Sequence, residues 1–220
     1  MRMTKTLRAL AALAAAPALA VEVANPGFED FVLIDDSSFV HQIPSWGHPD
    51  DGRSGTINPG PSLFPDSAVP EGFNAAYAAR GLLVQQLAAV VQPDTIYRLT
   101  VQVGRDIDVP DEFSGYVVEL RVGGQAVAFD HNGLSLAPGT WAPVELSFAV
   151  GAIDPLIGQP ISIALGNAER PTYFYTSAYF DDVRLDAQPV PEPAAAALAA
   201  AGLLATLAAA RRRRSTLRLP

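Results

Sequence analysis

The strongest constraint on how this chain folds is a repeated alternation of apolar and polar residues. Tyr97, Leu99, Val101 and Val103 alternate with Arg98, Thr100 and Gln102. Successive side chains of a β-strand point to opposite faces, so this stretch presents one apolar face and one wet face. Tyr116, Val118, Leu120 and Val122 repeat the pattern, and Gly123-Gly124 predicts a tight hairpin into Gln125 to Phe129, because glycine accepts positive φ. Val144, Leu146, Phe148 and Val150 form a third such set. Ile161, Ile163 and Leu165 follow, and Phe180 to Leu185 closes the pattern. Leu82 to Val91 reads as a less regular strand, since Gln85 and Gln86 interrupt it. With shorter strands earlier in the chain, about eight in two sheets are expected, an all-β jelly-roll β-sandwich. The segment from Asp35 to Gly72 is crowded with Pro, Gly, Ser and Asp, and is expected to be a long loop pinned by Trp46 and Phe64.

The two ends of the chain have a different character. Arg2, Lys5 and Arg8 precede an apolar run ending Pro17-Ala18-Leu19-Ala20, which predicts a signal peptide over residues 1–20 cut before Val21. Residues 21–188 remain as one domain, and within them stand seven arginines, no lysine and twenty-two acidic residues, a net charge of −15. Such a body is a poor partner for nucleic acid, whose affinity rests on cations that neutralise phosphate. It suits solubility and cation binding instead. The absence of cysteine removes disulfides and thiolate chemistry together.

At the other end, residues 189–220 contain Val190, Pro191, Glu192 and Pro193, then a small apolar run from Ala194 to Ala210, then Arg211, Arg212, Arg213 and Arg214. As a helix the run would span about 25 Å, and the arginines would stay on the cytoplasmic side. A single C-terminal transmembrane helix is therefore expected over 194–210. In this order the three parts resemble the PEP-CTERM sorting signal. That resemblance implies export through the inner membrane, transient anchoring by the helix, processing by an exosortase, and delivery to the cell surface or extracellular matrix.

A second resemblance rests on Asn25-Pro26-Gly27-Phe28-Glu29, Ile43-Pro44-Ser45-Trp46, Pro70 to Tyr77, and Tyr179-Phe180-Asp181-Asp182-Val183. These motifs resemble the galactose-binding-like jelly-roll superfamily, which includes many carbohydrate-binding modules. The terminal strands of a jelly roll commonly lie together, which would bring Glu29 near Asp181, and adjacent carboxylates call for a cation or a proton. Modules of this kind often hold a structural calcium there, and Glu29, Asp181 and Asn25 are the expected ligands. Polysaccharide binding needs exposed aromatic faces, for which Tyr173, Tyr175 and Trp46 are the candidates.

Signs of catalysis are few. His41, His48 and His131 have no metal-ligand spacing, and no Gly-x-Ser-x-Gly or phosphate-cradling loop is present. The expected function is accordingly that of an exported non-enzymatic surface or matrix protein that binds polysaccharide. Two alternatives are a carbohydrate-active hydrolase, with the acids from Asp106 to Glu112 as first suspects, and a structural spacer without a ligand.

Overall fold

Alternation of apolar residues becomes pairing of strands in the tertiary structure. A computed structural model describes residues 18–34, 36–49, 52–65, 68–107, 113, 115–168, 176–190, 202, 204 and 205. The unit Ala18–Pro189 holds eleven strands among the described residues. The strands are β1 Leu19–Val21, β2 Phe39–Val40, β3 Ser54–Ile57, β4 Ala75–Ala78, β5 Leu82–Val90, β6 Thr95–Arg105, β7 Tyr116–Val122, β8 Gln125–His131, β9 Thr140–Val150, β10 Pro160–Asn167 and β11 Ala178–Pro189, with the short helix α1 at Gly60–Leu63.

They form a sandwich of two antiparallel sheets. The large sheet has the order β2-β3-β4-β11-β6-β9, with β1 also paired to β11, and the small sheet has the order β5-β10-β7-β8. Between them lies a core of Tyr97, Leu99, Val101 and Val103 from β6, Val144 and Leu146 from β9, Tyr116 and Leu120 from β7, and Ile161, Ile163 and Leu165 from β10. These are the residues singled out by the alternation. The expected hairpin is present too, with Gly123 at φ +58° and Gly124 at φ +83°, the two positive values that a two-residue turn of matching twist requires.

Strand β11 departs from simple alternation, and the departure positions a buried acid. Ala178 and Phe180 face the core, and so do Val183 and Leu185, which lie on the opposite parity. The change of parity is absorbed by a bulge between Asp181 and Arg184, where Asp182 adopts φ +49°. Asp181 is left fully buried.

The segment expected to be a loop between Asp35 and Gly72 contains β2, β3 and α1. Both anchors are buried, Trp46 beside Phe28 in the main core and Phe64 in a second cluster. Strand β3 shows no alternation because all of Ser54, Gly55, Thr56 and Ile57 are buried.

At the N-terminus, a cut before Val21 would fall inside β1, whose Leu19, Ala20 and Val21 pair with Ala187, Asp186 and Leu185. Of the stretch expected to be a membrane helix, only Gly202, Leu204 and Ala205 are described, and no helix of the described residues is long and apolar enough to cross a membrane. Pro191, Glu192, Pro193 and the arginines 211–214 lie outside the described residues, while Val190 is exposed.

Candidate active site

The outer face of the large sheet carries a row of rings. Registers align Gly55 with Tyr77, Tyr77 with Tyr179, Tyr179 with Gly104, and Gly104 with Trp141, so the row crosses β3, β4, β11, β6 and β9. The same alternation that turns Ala76, Ala78, Phe180 and Val103 to the core turns this row away from it. Phe64, just after α1, lies over the row. It stacks on Trp141 with ring centres 4.6 Å apart and meets Tyr179 edge-on at 5.4 Å.

The two glycines make this crowding possible. A Cβ at Gly104 would sit 2.8 Å from the Trp141 ring and 3.0 Å from Phe64. One at Gly55 would collide with the Val40 carbonyl and the Tyr77 ring.

Polar groups join the rings at two points. The Tyr179 hydroxyl donates to Asp106 Oδ2 at 2.8 Å, and Asp106 is itself buried just beyond the end of β6. Across the row, the Tyr77 hydroxyl pairs with His41 Nδ1 at 2.7 Å. Burial pushes the Tyr77 phenol up to about 12, so it remains protonated at neutral pH. The Trp141 indole nitrogen is buried and has no hydrogen-bond partner among the described residues. Further along this face, Arg98, Thr100, Glu145, Ser147 and Asp186 line a shallow recess of ≈ 240 Å³.

A carboxylate cluster sits at the bulge of β11. Asp181 accepts backbone N–H groups from Glu71 at 2.7 Å and from Asp182 at 2.7 Å. Desolvation raises its carboxyl to about 8, against the lowering effect of those two bonds, and the nearby Glu71 charge raises it further. Glu29 is held by the same loop, its Oε1 accepting the Phe73 and Asn74 N–H groups and its Oε2 the Asn74 side-chain amide. Asn25 is engaged through its side chain with Pro44 O and the Asp30 N–H. Its carbonyl accepts from the Trp46 indole.

The loop 71–74 therefore bridges Glu29 and Asp181, and it brings Glu71 beside Asp181, a neighbour not anticipated from the sequence. Among the described residues no group of three or more His, Asp or Glu side chains is arranged to hold a metal. Trp46 is buried, and Tyr173 and Tyr175 lie outside the described residues.

The profile of the HpiC1-like family, described as HpiC1 cyclase, matches residues 19–186. The chain belongs to the HpiC1-like cyclase family. Among solved structures it is similar to the Stig cyclase Fisc from Fischerella sp. TAU in complex with (3Z)-3-(1-methyl-2-pyrrolidinylidene)-3H-indole, at 27% identity over 79% of this chain and 99% of that one, with a TM-score of 0.68. It is also similar to an apo cyclase from Fischerella sp., at 26% identity over 78% of this chain and 97% of that one, TM-score 0.68. A cyclase from Fischerella sp. TAU in complex with 4-(1H-indol-3-yl)butan-2-one matches at 26% identity over 78% of this chain and 98% of that one, TM-score 0.66. No curated protein sequence matches the chain.

Membership of this family corrects the expectation of a non-enzymatic matrix protein, since the match covers nearly the whole sandwich and the family is one of enzymes. It also replaces the PEP-CTERM and carbohydrate-module recognition, because the family match and the Fischerella cyclases account for most of the chain. The physical reason is that the motifs behind the second resemblance report the sandwich and its loop contacts, and one sandwich serves binding and catalysis alike. Neither a nucleophile motif nor a metal-ligand spacing in the sequence marks the buried acid and the row of rings.

Proposed function

We propose that this HpiC1-like chain is an acid-initiated cyclase for an indole-bearing small molecule, working on the outer face of its large sheet. The observation that carries this reading is the buried Asp106 bonded to Tyr179 within a row of aromatic rings. A carboxyl kept from water and hydrogen-bonded to a phenol can present a proton to an unsaturated bond of the substrate. The cation produced would be favoured by the π quadrupole of Trp141, the partly exposed ring of the row. The flat walls also suit an indole ring, and the relatives' bound indoles support that substrate class. Incubating the full chain with indoles that carry an unsaturated side chain should give a ring-closed isomer of unchanged mass. Asp106→Asn should abolish it; no isomer from any such indole would sink the proposal.

The two-sheet order supports a jelly-roll reading of the sandwich. For calcium, the residues that would hold it are Asp181 and Glu71, because a fully buried carboxylate beside a second one is stabilised by a cation. The bonds already made by Glu29 leave a calcium there to draw its other ligands from backbone carbonyls or water. Its role would be to fasten loop 71–74 to β11. We also propose export by the N-terminal segment, to be checked by sequencing the N-terminus of the protein recovered from its cells.

A further inference from the structure

A cyclase that starts by giving a proton and ends with an isomer must take a proton back. Asp106 and Tyr179 account for the first half. On the same face, Tyr77 stands directly opposite Tyr179 in the register between β4 and β11, and both rings belong to one buried cluster with Ile57, Leu63 and Phe64. Behind Tyr77 is His41, 2.7 Å from its hydroxyl and itself exposed to solvent. Phe39 fixes both partners, edge-on to Tyr77 at 6.2 Å and to the imidazole at 5.2 Å. The backbone at Gly55 passes so close to the Tyr77 ring that no side chain fits between them. Two tyrosines in register, each backed by a different titratable group, belong to one aromatic cluster on this face.

We infer that Tyr77 and His41 are the proton-accepting arm of this site, resting on the reading of the face as a cyclase centre. Once the new carbon–carbon bond has formed, a C–H bond at the cationic ring breaks and its electron pair restores the neutral π system. That proton passes to the Tyr77 oxygen as the hydroxyl's own proton moves to His41 Nδ1, which is free to accept when the neutral imidazole carries its proton on Nε2. The imidazolium releases a proton to water, and Asp106 recovers one from solvent, so the whole cycle is an isomerisation with no oxidant or reductant. Tyr77 touches the substrate. His41 acts through it, as a positioning and relay residue.

The test is steady-state turnover of the full chain and its Tyr77→Phe, His41→Gln and His41→Ala variants with an indole substrate that the wild type cyclises. Tyr77→Phe and His41→Gln should each lower kcat by about 100-fold with KM changed less than about threefold, the range for loss of one proton-transfer group. Because His41 is exposed, added imidazole should restore His41→Ala by about tenfold and leave Tyr77→Phe unchanged. Full activity in His41→Gln, or a loss in His41→Ala that imidazole does not relieve, would overturn the inference. Asp106→Asn assayed alongside separates the two ideas: if it is inactive while His41→Ala is fully active, only the accepting arm falls, and if it is fully active the reading of the whole site falls.

Discussion

Replacing Gly104 by alanine tests the aromatic row in a way that turns on the sign of the result. Gly104 has no positive φ, so alanine is compatible with its backbone. If space were available, the substitution would stabilise the protein by about 0.4–1 kcal/mol through the unfolded chain. Space is what the row lacks. The new methyl would lie 2.8 Å from Trp141 and 3.0 Å from Phe64, where carbon atoms settle at about 3.5–4.0 Å. One of the rings must therefore give by about 0.5–1 Å.

Phe64 is held between Trp141 and Tyr179, whereas Trp141 is partly exposed, so Trp141 is the ring that moves. Losing the stack costs about 0.5–1.5 kcal/mol, and overpacking about 1–3 kcal/mol. A net cost of about 2 kcal/mol lowers the melting temperature of a domain of this size by about 4–8 °C. Circular dichroism reads the melt. Trp emission reads the ring, since the other tryptophan, Trp46, is buried in the main core and should not change. A Gly104→Ala protein that melts at or above the wild-type temperature with unchanged emission would refute the packing argument, and with it the idea that these rings form a tight wall.

Other predictions follow from the same geometry. Asp106→Asn keeps an acceptor for the Tyr179 hydroxyl but cannot deliver a proton, so turnover should fall by about 100-fold or more while the melt moves little. Gly55→Ala should be far more damaging than Gly104→Ala, because the obstacle is the Val40 carbonyl and not only a ring, and limited proteolysis should then cut the β2–β3 edge early. In chelator, the Asp181 carboxyl at about 8 binds its proton more tightly in the folded than in the unfolded protein, so its contribution is full below about pH 4 and is lost as pH rises through about 8. Wild type should accordingly lose melting temperature over that window relative to Asp181→Asn, and calcium should remove the difference; a wild-type melt unaffected by calcium at pH 8 would argue against a cation at Asp181.

Much of the fold was legible in the residues. Period two in Tyr97 to Val103, Tyr116 to Val122 and Val144 to Val150 states which side chains are buried, because a half-buried strand leaves that mark whatever it pairs with. The glycine pair at 123–124 named its turn for an equally local reason. By contrast, β2 and β3 were hidden in a Pro- and Gly-rich stretch, since strands this short carry no period, and their burial depends on what folds over them.

The site was not legible for a related reason. Asp106 and Tyr179 are hydrogen-bonded across 73 residues, and Tyr77 meets Tyr179 through a strand register that no local pattern encodes. Each of these residues was visible in the sequence, Asp106 within an acidic run and both tyrosines within motifs that mark the sandwich. Alternation alone could have placed Tyr179 on the face opposite Phe180, but not beside which neighbours. Side-chain periodicity is written residue by residue and fixes which face each residue takes; the tertiary structure alone decided which strands became neighbours, and so which rings and which acid share one space.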